Sequence, residues 1–190
     1  MSDDTETVAG DRDPEEARKM VRERYGSIAT DSQGCCGDVG IDVADSGGCC
    51  DGNEAASGSE RLGYETDDIA SVADGADLGL GCGNPKAIAE MTPGETVLDL
   101  GSGAGFDCFL AAQEVGPDGR VIGVDMTPEM VSKARENVAK NDAGNVEFRL
   151  GEISHLPVAD ATVDVVISNC VVNLAPEKQL VFDDAYRVLK

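Results

Sequence analysis

A short apolar run leads into three alternating glycines in the stretch Thr96-Val97-Leu98-Asp99-Leu100-Gly101-Ser102-Gly103-Ala104-Gly105. The residues that follow, 106–115, have the composition of a helix. A buried strand that passes through a glycine-rich turn into a helix is a ligand-binding unit of parallel α/β sheets. Glycine lets the backbone approach a ligand, and the helix start offers free N–H donors. The stretch therefore predicts a ligand site at the end of a strand.

The spacing of the glycines distinguishes two classes of cofactor. The dinucleotide pattern G-x-G-x-x-G would require a third glycine at position 106, where this chain has Phe106. The pattern present, D-x-G-x-G-x-G, is the form seen in S-adenosylmethionine (SAM) methyltransferases. A second apolar run ends at Asp125, where Rossmann-like folds place the acid that accepts hydrogen bonds from ribose hydroxyls. The alternatives are a tight turn without a ligand, and an Asp125 that caps the next helix.

Alternating apolar runs and helical segments predict a Rossmann-like α/β fold with parallel strands in the order 3-2-1-4. The predicted strands are 96–100, 120–125, 145–150 and 161–168. The predicted helices are 14–25, 86–91, 106–115, 128–140 and 176–190. The ligand should lie outside the carboxyl ends of the first and fourth strands.

The chain divides into three regions by composition. Residues 1–60 comprise the N-terminal helix, from about 14 to 25, and a flexible acidic segment rich in glycine and cysteine. Residues 61–94 are interpreted as a linker or lid, and 95–190 as the SAM-binding core. Because the chain ends at Lys190, where a further strand is expected, we interpret it as C-terminally truncated.

The charge of the chain is strongly negative. Thirty-seven acidic residues oppose fifteen basic ones, which gives a net charge of −22. This balance argues against nucleic acid and anionic membranes as partners. It also indicates a halophilic source, in which concentrated salt screens the repulsion.

Cysteine usage points to ligand chemistry. The N-terminus has no apolar secretory region, and no apolar run is long enough to span a membrane, so a cytoplasmic location is expected. Seven cysteines in such a chain favour metal, metalloid or catalytic roles over structural disulfides. The adjacent pairs Cys35-Cys36 and Cys49-Cys50 suit a soft ion. Incidental thiols in an unstructured loop are the alternative interpretation.

Five motifs together resemble the arsenite methyltransferase family over about residues 18–190. They are LGLGCGNP at 78–85, VLDLGSGAGFDCFLA at 97–111, VIGVDMTP at 121–128, FRLGEI at 148–153 and ISNCVVNL at 167–174. The resemblance implies transfer of the SAM methyl group to trivalent arsenic bound by Cys82 and Cys170. It implies arsenite or its thiol conjugates as substrate, and thioredoxin or a small thiol as reductant. The family's further downstream cysteine has no position in this chain.

The resemblance also predicts a cofactor site. Its residues are Asp99, Gly101, Ser102, Gly103, Gly105, Asp125, Met126, Glu152, Ile153 and Asn169. Among them, Met126, Glu152 and Ile153 are expected to border the adenine; the alternatives are a core position for Met126 and a cap or turn role for Glu152. Cys108 is expected in the core, and the single histidine, His155, in a loop without a catalytic role.

Two other functions fit the same sequence. One is a SAM methyltransferase that acts on carbon or oxygen of another small metabolite. The other is a non-catalytic protein that sequesters metalloids or metals through its thiols. A survey of methyl acceptors that includes arsenite would distinguish the first alternative from arsenic methylation. SAM binding would argue against the second.

Overall fold

The computed structural model describes residues 13–30 and 58–190. The predictions for residues 1–12 and for the cysteine pairs at 35–36 and 49–50 lie outside this part of the chain. The α-helices are α1 (Pro14–Thr30), α2 (Gly58–Arg61), α3 (Thr66–Ser71), α4 (Phe106–Val115), α5 (Pro128–Lys140) and α6 (Lys178–Val188). The strands are β1 (Thr96–Leu100), β2 (Arg120–Asp125), β3 (Val146–Leu150) and β4 (Val165–Ser168). Two 3-10 helices span Pro85–Ala87 and Val171–Leu174.

The four strands form one parallel sheet in the order β3-β2-β1-β4, which confirms the predicted topology. In the register of the sheet, Leu100 pairs with Val124 on one side and with Ser168 on the other. The carboxyl ends of β1, β2 and β4 therefore meet at one edge. The loops that follow them lie side by side, as a ligand site at this edge requires.

Both faces of the sheet are covered by apolar contacts. Val97 and Val121 belong to the same buried cluster as Phe109 of α4. Their neighbours along the strands, Leu98 and Ile122, belong instead to the cluster on the opposite face. Because side chains alternate along a strand, these apolar runs can supply both layers of a doubly covered parallel sheet.

The fourth strand is shorter than predicted. Residues 161–168 were expected to pair throughout, but regular pairing with β1 begins only at Val165. Upstream, the N–H groups of Thr162 and Val163 donate to the carbonyl of Val188, and Val163 bridges to Leu189. This contact with the end of α6 replaces sheet pairing, and it also ends α6 before Lys190.

The N-terminal helix is longer than predicted. It was expected to end near Tyr25, but α1 continues through Gly26 to Thr30. A Cβ at Gly26 would lie 3.2 Å from Glu129 of α5, and Lys133 of α5 donates to the carbonyl of Ala29. Docking on α5 therefore carries the helix past a residue that disfavours helix by about 1 kcal/mol.

The segment between α2 and β1 packs on the core. Tyr64 is 5% exposed, and Val72 and Ala76 are also buried in the cluster beneath α4. The helix predicted at 86–91 is only the 3-10 turn at Pro85–Ala87, which the side chain of Asn84 caps. Within residues 13–30 and 58–190, no helix has both the length and the apolarity needed to cross a bilayer.

Raising the salt concentration is expected to stabilise the fold. A net charge of −22 opposes compaction, and the screening length falls from about 10 Å at 0.1 M salt to about 3 Å at 1 M. The melting temperature should rise between these two concentrations of sodium or potassium chloride. For a chain of this size, each kcal/mol gained corresponds to about 2–4 °C. A flat or falling melting temperature would contradict the halophilic interpretation.

Candidate functional site

The three glycines after β1 meet different surroundings, although all three have positive φ angles. A Cβ at Gly101 would lie 2.6 Å from Val171, and one at Gly105 would lie 2.5 Å from Phe148. A Cβ at Gly103 would meet no atom within 4 Å. Two of the glycines therefore permit close packing around the loop, whereas Gly103 leaves open space beside it.

Gly105→Ala is expected to destabilise the fold more than Gly103→Ala. Both substitutions place a side chain at positive φ, but the φ of 51° at Gly103 lies in the left-handed region open to L-residues, whereas the φ of 99° at Gly105 lies outside it. Only the methyl group at 105 would overlap the ring of Phe148, and overpacking of this kind costs about 1–3 kcal/mol. Urea unfolding should show this difference between the two variants. Equal losses would mean that Phe148 moves aside without cost.

Asp125 connects the end of β2 to the glycine loop. Its Oδ2 accepts a hydrogen bond from the N–H of Gly103 at 3.0 Å, and its Oδ1 accepts one from the N–H of Thr127 at 2.8 Å. Burial raises the pKa of Asp125, and the hydrogen bonds from Thr127 and Gly103 oppose this shift. The carboxylate thus contacts the glycine loop and bonds Thr127, the N-cap residue of α5, while its roles as ribose acceptor and as cap stay predictions.

A cavity lies at the carboxyl ends of the four strands. Eight of the ten predicted cofactor residues line it: Gly101, Ser102, Gly103, Asp125, Met126, Glu152, Ile153 and Asn169. Five carboxylates also border this cavity, and Arg18 is the only basic residue among the described residues that line it. The hydroxyl of Ser102 is buried and has no partner in the described part of the chain. The cavity therefore favours a cationic ligand with polar groups.

Two predicted cofactor residues do not line the cavity. Asp99 is 2% exposed, and its Oδ2 accepts a hydrogen bond from Sγ of Cys108 at 3.3 Å. It shares a strand face with Val97 and so points toward α4. Gly105 is the N-cap of α4, and its Cα lies against Phe148. Both residues lie beneath the loop and outside the cavity lining, and their direct contact with a cofactor stays a prediction.

Cys82 and Cys170 lie next to each other with their sulfur atoms in contact, although they are 88 residues apart in sequence. Their Cα atoms are 6.0 Å apart, and Cys170 lines the cavity directly after β4. The structure thus brings together the two cysteines that the sequence predicted as ligands, and their binding of arsenic stays a prediction. In residues 13–30 and 58–190, no group of three or more His, Cys, Asp or Glu side chains is arranged to hold a metal.

Helix α1 contributes to the cavity, which the sequence did not predict. Arg18, Val21 and Tyr25 follow one another at helical spacing and line its rim. Arg18 forms ion pairs with Glu152 at 3.2 Å and with Glu177 at 2.6 Å. The helical spacing was visible in the sequence, but nothing local indicated which surface this face of α1 would cover.

A polar cluster beside the cysteine pair was also missed. The hydroxyl of Tyr64 donates to Oδ1 of Asp107 at 2.5 Å, and Nδ2 of Asn169 donates to Oδ2 of the same carboxylate at 3.1 Å. Burial raises the pKa of Asp107, whereas the bonds from Tyr64 and Asn169 lower it. Burial and the adjacent Asp107 also raise the pKa of Tyr64 well above its usual value. Neither Tyr64 nor Asp107 is among the site residues predicted from the sequence.

Two other side chains that could react, Cys108 and His155, lie outside the cavity lining. Cys108 is fully buried, as predicted, and burial and the neighbouring Asp99 raise the pKa of its thiol well above the usual value. His155 is exposed, and its Nδ1 lies 3.2 Å from the hydroxyl of Ser154. Neither residue lines the cavity.

A family model for a methyltransferase domain matches residues 91–190 of the chain. An arsenite methyltransferase from Halobacterium salinarum is 80% identical over 190 residues, which are 100% of this chain and 49% of the relative. One from Aquipseudomonas alcaligenes is 44% identical over 117 residues, 58% of this chain and 33% of the relative. The halophilic origin expected from the charge agrees with the source of the first relative.

The same similarity appears in three dimensions. An arsenic(III) S-adenosylmethionine methyltransferase from Chlamydomonas reinhardtii superposes with a TM-score of 0.54 at 39% identity. The match covers 70% of this chain and 44% of the solved chain. The chain thus spans about half of the Halobacterium relative and less of the other two proteins.

Proposed function

Because the chain belongs to the methyltransferase-domain family, we propose that it is the SAM-binding and arsenic-binding part of an arsenite methyltransferase. The observation that carries this proposal is the position of the Cys82–Cys170 pair. It lies beside the cavity formed by the glycine loop and Asp125, where a bound cofactor would present its methyl group. The 80% identical relative supports the assignment of arsenite as the acceptor.

The residues around the cavity fit SAM. Asp125 lines the cavity, which supports its role as acceptor of hydrogen bonds from the ribose hydroxyls, and Met126, Glu152 and Ile153 line the space proposed for adenine. The open space beside Gly103 gives the ligand access to the loop backbone. The five carboxylates of the cavity suit the positive charges of the sulfonium and ammonium groups.

The acceptor chemistry follows from the two sulfurs. Trivalent arsenic is soft, so the thiolates of Cys82 and Cys170 displace its oxygen ligands and leave its lone pair free. The bound cofactor supplies an electrophilic methyl group, and the transfer requires alignment but no general base. Cys82 and Cys170 would hold the arsenic lone pair in line with that methyl group, so that the electron pair of the broken C–S bond would remain on the cofactor sulfur. Alignment of this kind can lower a barrier by about 7–11 kcal/mol.

A reductant follows from the closeness of the two cysteines, because such a pair can oxidise to a disulfide and arsenic can bind only the reduced form. Two thiols would be oxidised for each Cys82–Cys170 disulfide that is reduced. We assign this role to thioredoxin or a small thiol. A site that works only when reduced also favours the cytoplasm as its location.

The test is an acceptor assay on the complete gene product that contains this chain. The protein is incubated with SAM, a thiol reductant, and arsenite or a panel of small metabolites, and methylated species are separated by chromatography with mass detection. Methylarsenic formed together with S-adenosylhomocysteine supports the proposal. SAM binding with methylation only of another metabolite would overturn the arsenic assignment. Arsenite binding without SAM binding would indicate a sequestering protein.

A further inference from the structure

The side chain of Asn169 bonds to the backbone on both sides of Cys82. Its Oδ1 accepts a hydrogen bond from the N–H of Cys82 at 2.9 Å, and its Nδ2 donates to the carbonyl of Gly83 at 3.0 Å. A Cβ at Gly81 would lie 2.7 Å from the same Nδ2, so the Cys82 segment approaches the carboxamide closely. Because Asn169 immediately precedes Cys170 in the chain, its side chain holds Cys82 next to Cys170.

The orientation of this carboxamide is set by Asp107 and Tyr64. An ionised carboxylate can only accept hydrogen bonds, so the NH₂ group of Asn169 must face Oδ2 of Asp107, 3.1 Å away. The hydroxyl of Tyr64 donates to Asp107 and lies 3.2 Å from the same NH₂ group, whose two protons are shared among Tyr64, Asp107 and the carbonyl of Gly83. With the nitrogen directed to this side, the oxygen is left to accept from Cys82.

The residues that orient Asn169 are themselves held in place. Tyr64 is 5% exposed, and its ring packs edge-on against Phe106 with centroids 5.0 Å apart. Asp107 is in the first turn of α4, directly after the glycine loop. The cluster therefore links the position of Cys82 to the same loop that lines the cavity.

From this geometry we propose that Asn169, oriented by Asp107 and Tyr64, is a positioning residue that holds Cys82 against Cys170. This inference rests on the proposed function in one respect: the role of Asn169 is to bring two thiols together before arsenic binds. Without the carboxamide, Cys82 would lie on an exposed segment, 79–83, that contains three glycines. Each arsenic-binding event would then have to order that segment, and the lost conformational entropy would weaken binding.

The test measures how readily the two thiols pair, independently of arsenic. The complete gene product is equilibrated with reduced and oxidised glutathione. In this exchange, the protein dithiol and one glutathione disulfide become the protein disulfide and two glutathione thiols. Free thiols are trapped by alkylation. The disulfide-linked pair of peptides that contain Cys82 and Cys170 is then quantified by mass spectrometry. The variants are Asn169→Ala, Asp107→Asn and Tyr64→Phe. The matched control is Asn173→Ala, because Asn173 is exposed in the 3-10 helix next to Cys170.

We expect the effective concentration of the thiol pair to fall about tenfold or more in Asn169→Ala, the effect of losing its bonds to Cys82 and Gly83. Asp107→Asn should lower it as well, because its amide can also donate and no longer enforces one orientation of Asn169. Tyr64→Phe should have a smaller effect, and Asn173→Ala none. Thermal melting of each variant checks that it is folded.

An unchanged pairing equilibrium in folded Asn169→Ala would overturn the proposal. If that variant does not fold, an unchanged equilibrium in both Asp107→Asn and Tyr64→Phe would overturn it instead. Arsenite binding by the unaltered protein is measured in parallel. Its absence would contradict the proposed function, whereas the pairing equilibrium would still decide the role of Asn169.

Discussion

Cys82→Ser and Cys170→Ser are each expected to reduce arsenite methylation by the complete gene product at least about a hundredfold, while SAM affinity stays unchanged. Serine preserves the shape of the side chain but offers a hard oxygen that is not ionised near neutral pH, so it does not bind trivalent arsenic. Losing one of the two thiolates leaves arsenic unaligned with the methyl group, and misplacement by about 1 Å already costs about a hundredfold.

The cysteine variants need a parent protein without other accessible thiols, and they need a control variant. Cys35, Cys36, Cys49 and Cys50 should first be replaced by serine, because these thiols could also bind arsenite and obscure the result. Cys108→Ser is the matched control, since this thiol is buried and does not line the cavity, and serine can still donate a hydrogen bond to Asp99. Calorimetry with SAM would show whether the cofactor site is intact in each variant. Methylation at the parent rate by the Cys82/Cys170 double variant would refute the assignment.

Asp125→Ala is expected to weaken SAM binding by about 1.5–3 kcal/mol, the range for a hydrogen bond to a charged group. This corresponds to an increase in Kd of about 10- to 150-fold. The carboxylate lines the cavity and bonds the N–H of Gly103, so its removal deletes the ribose acceptor and releases the glycine loop. Isothermal calorimetry on the complete gene product measures the change.

The control for this experiment is Asp118→Ala. It removes an exposed carboxylate with the same loss of charge, and Asp118 lies in the turn before β2, at the opposite edge of the sheet from the cavity. Its SAM affinity should equal that of the parent protein. If both variants weaken binding equally, the effect would come from net charge. If neither does, Asp125 is not the ribose acceptor.

The sequence alone determined the elements around the glycine loop. The bounds of β1, α4, β2 and α5 agree with the predicted ranges, because apolar runs, glycines and helix-start residues act within a few neighbouring positions. The parallel order 3-2-1-4 followed from the alternation of strands and helices. Eight of the ten predicted cofactor residues line the cavity, since the ends of parallel strands meet at one edge.

Tertiary structure decided the features that depend on distant residues. Helix α1 passes through Gly26 because it docks on α5, and β4 starts late because Val163 bonds the end of α6 instead of β1. No spacing rule could have identified the contact of Asn169 with Cys82, which are 87 residues apart. A hydrogen bond depends on distances and angles between two side chains or backbones. Those quantities exist only once the sheet has brought both segments to the same edge.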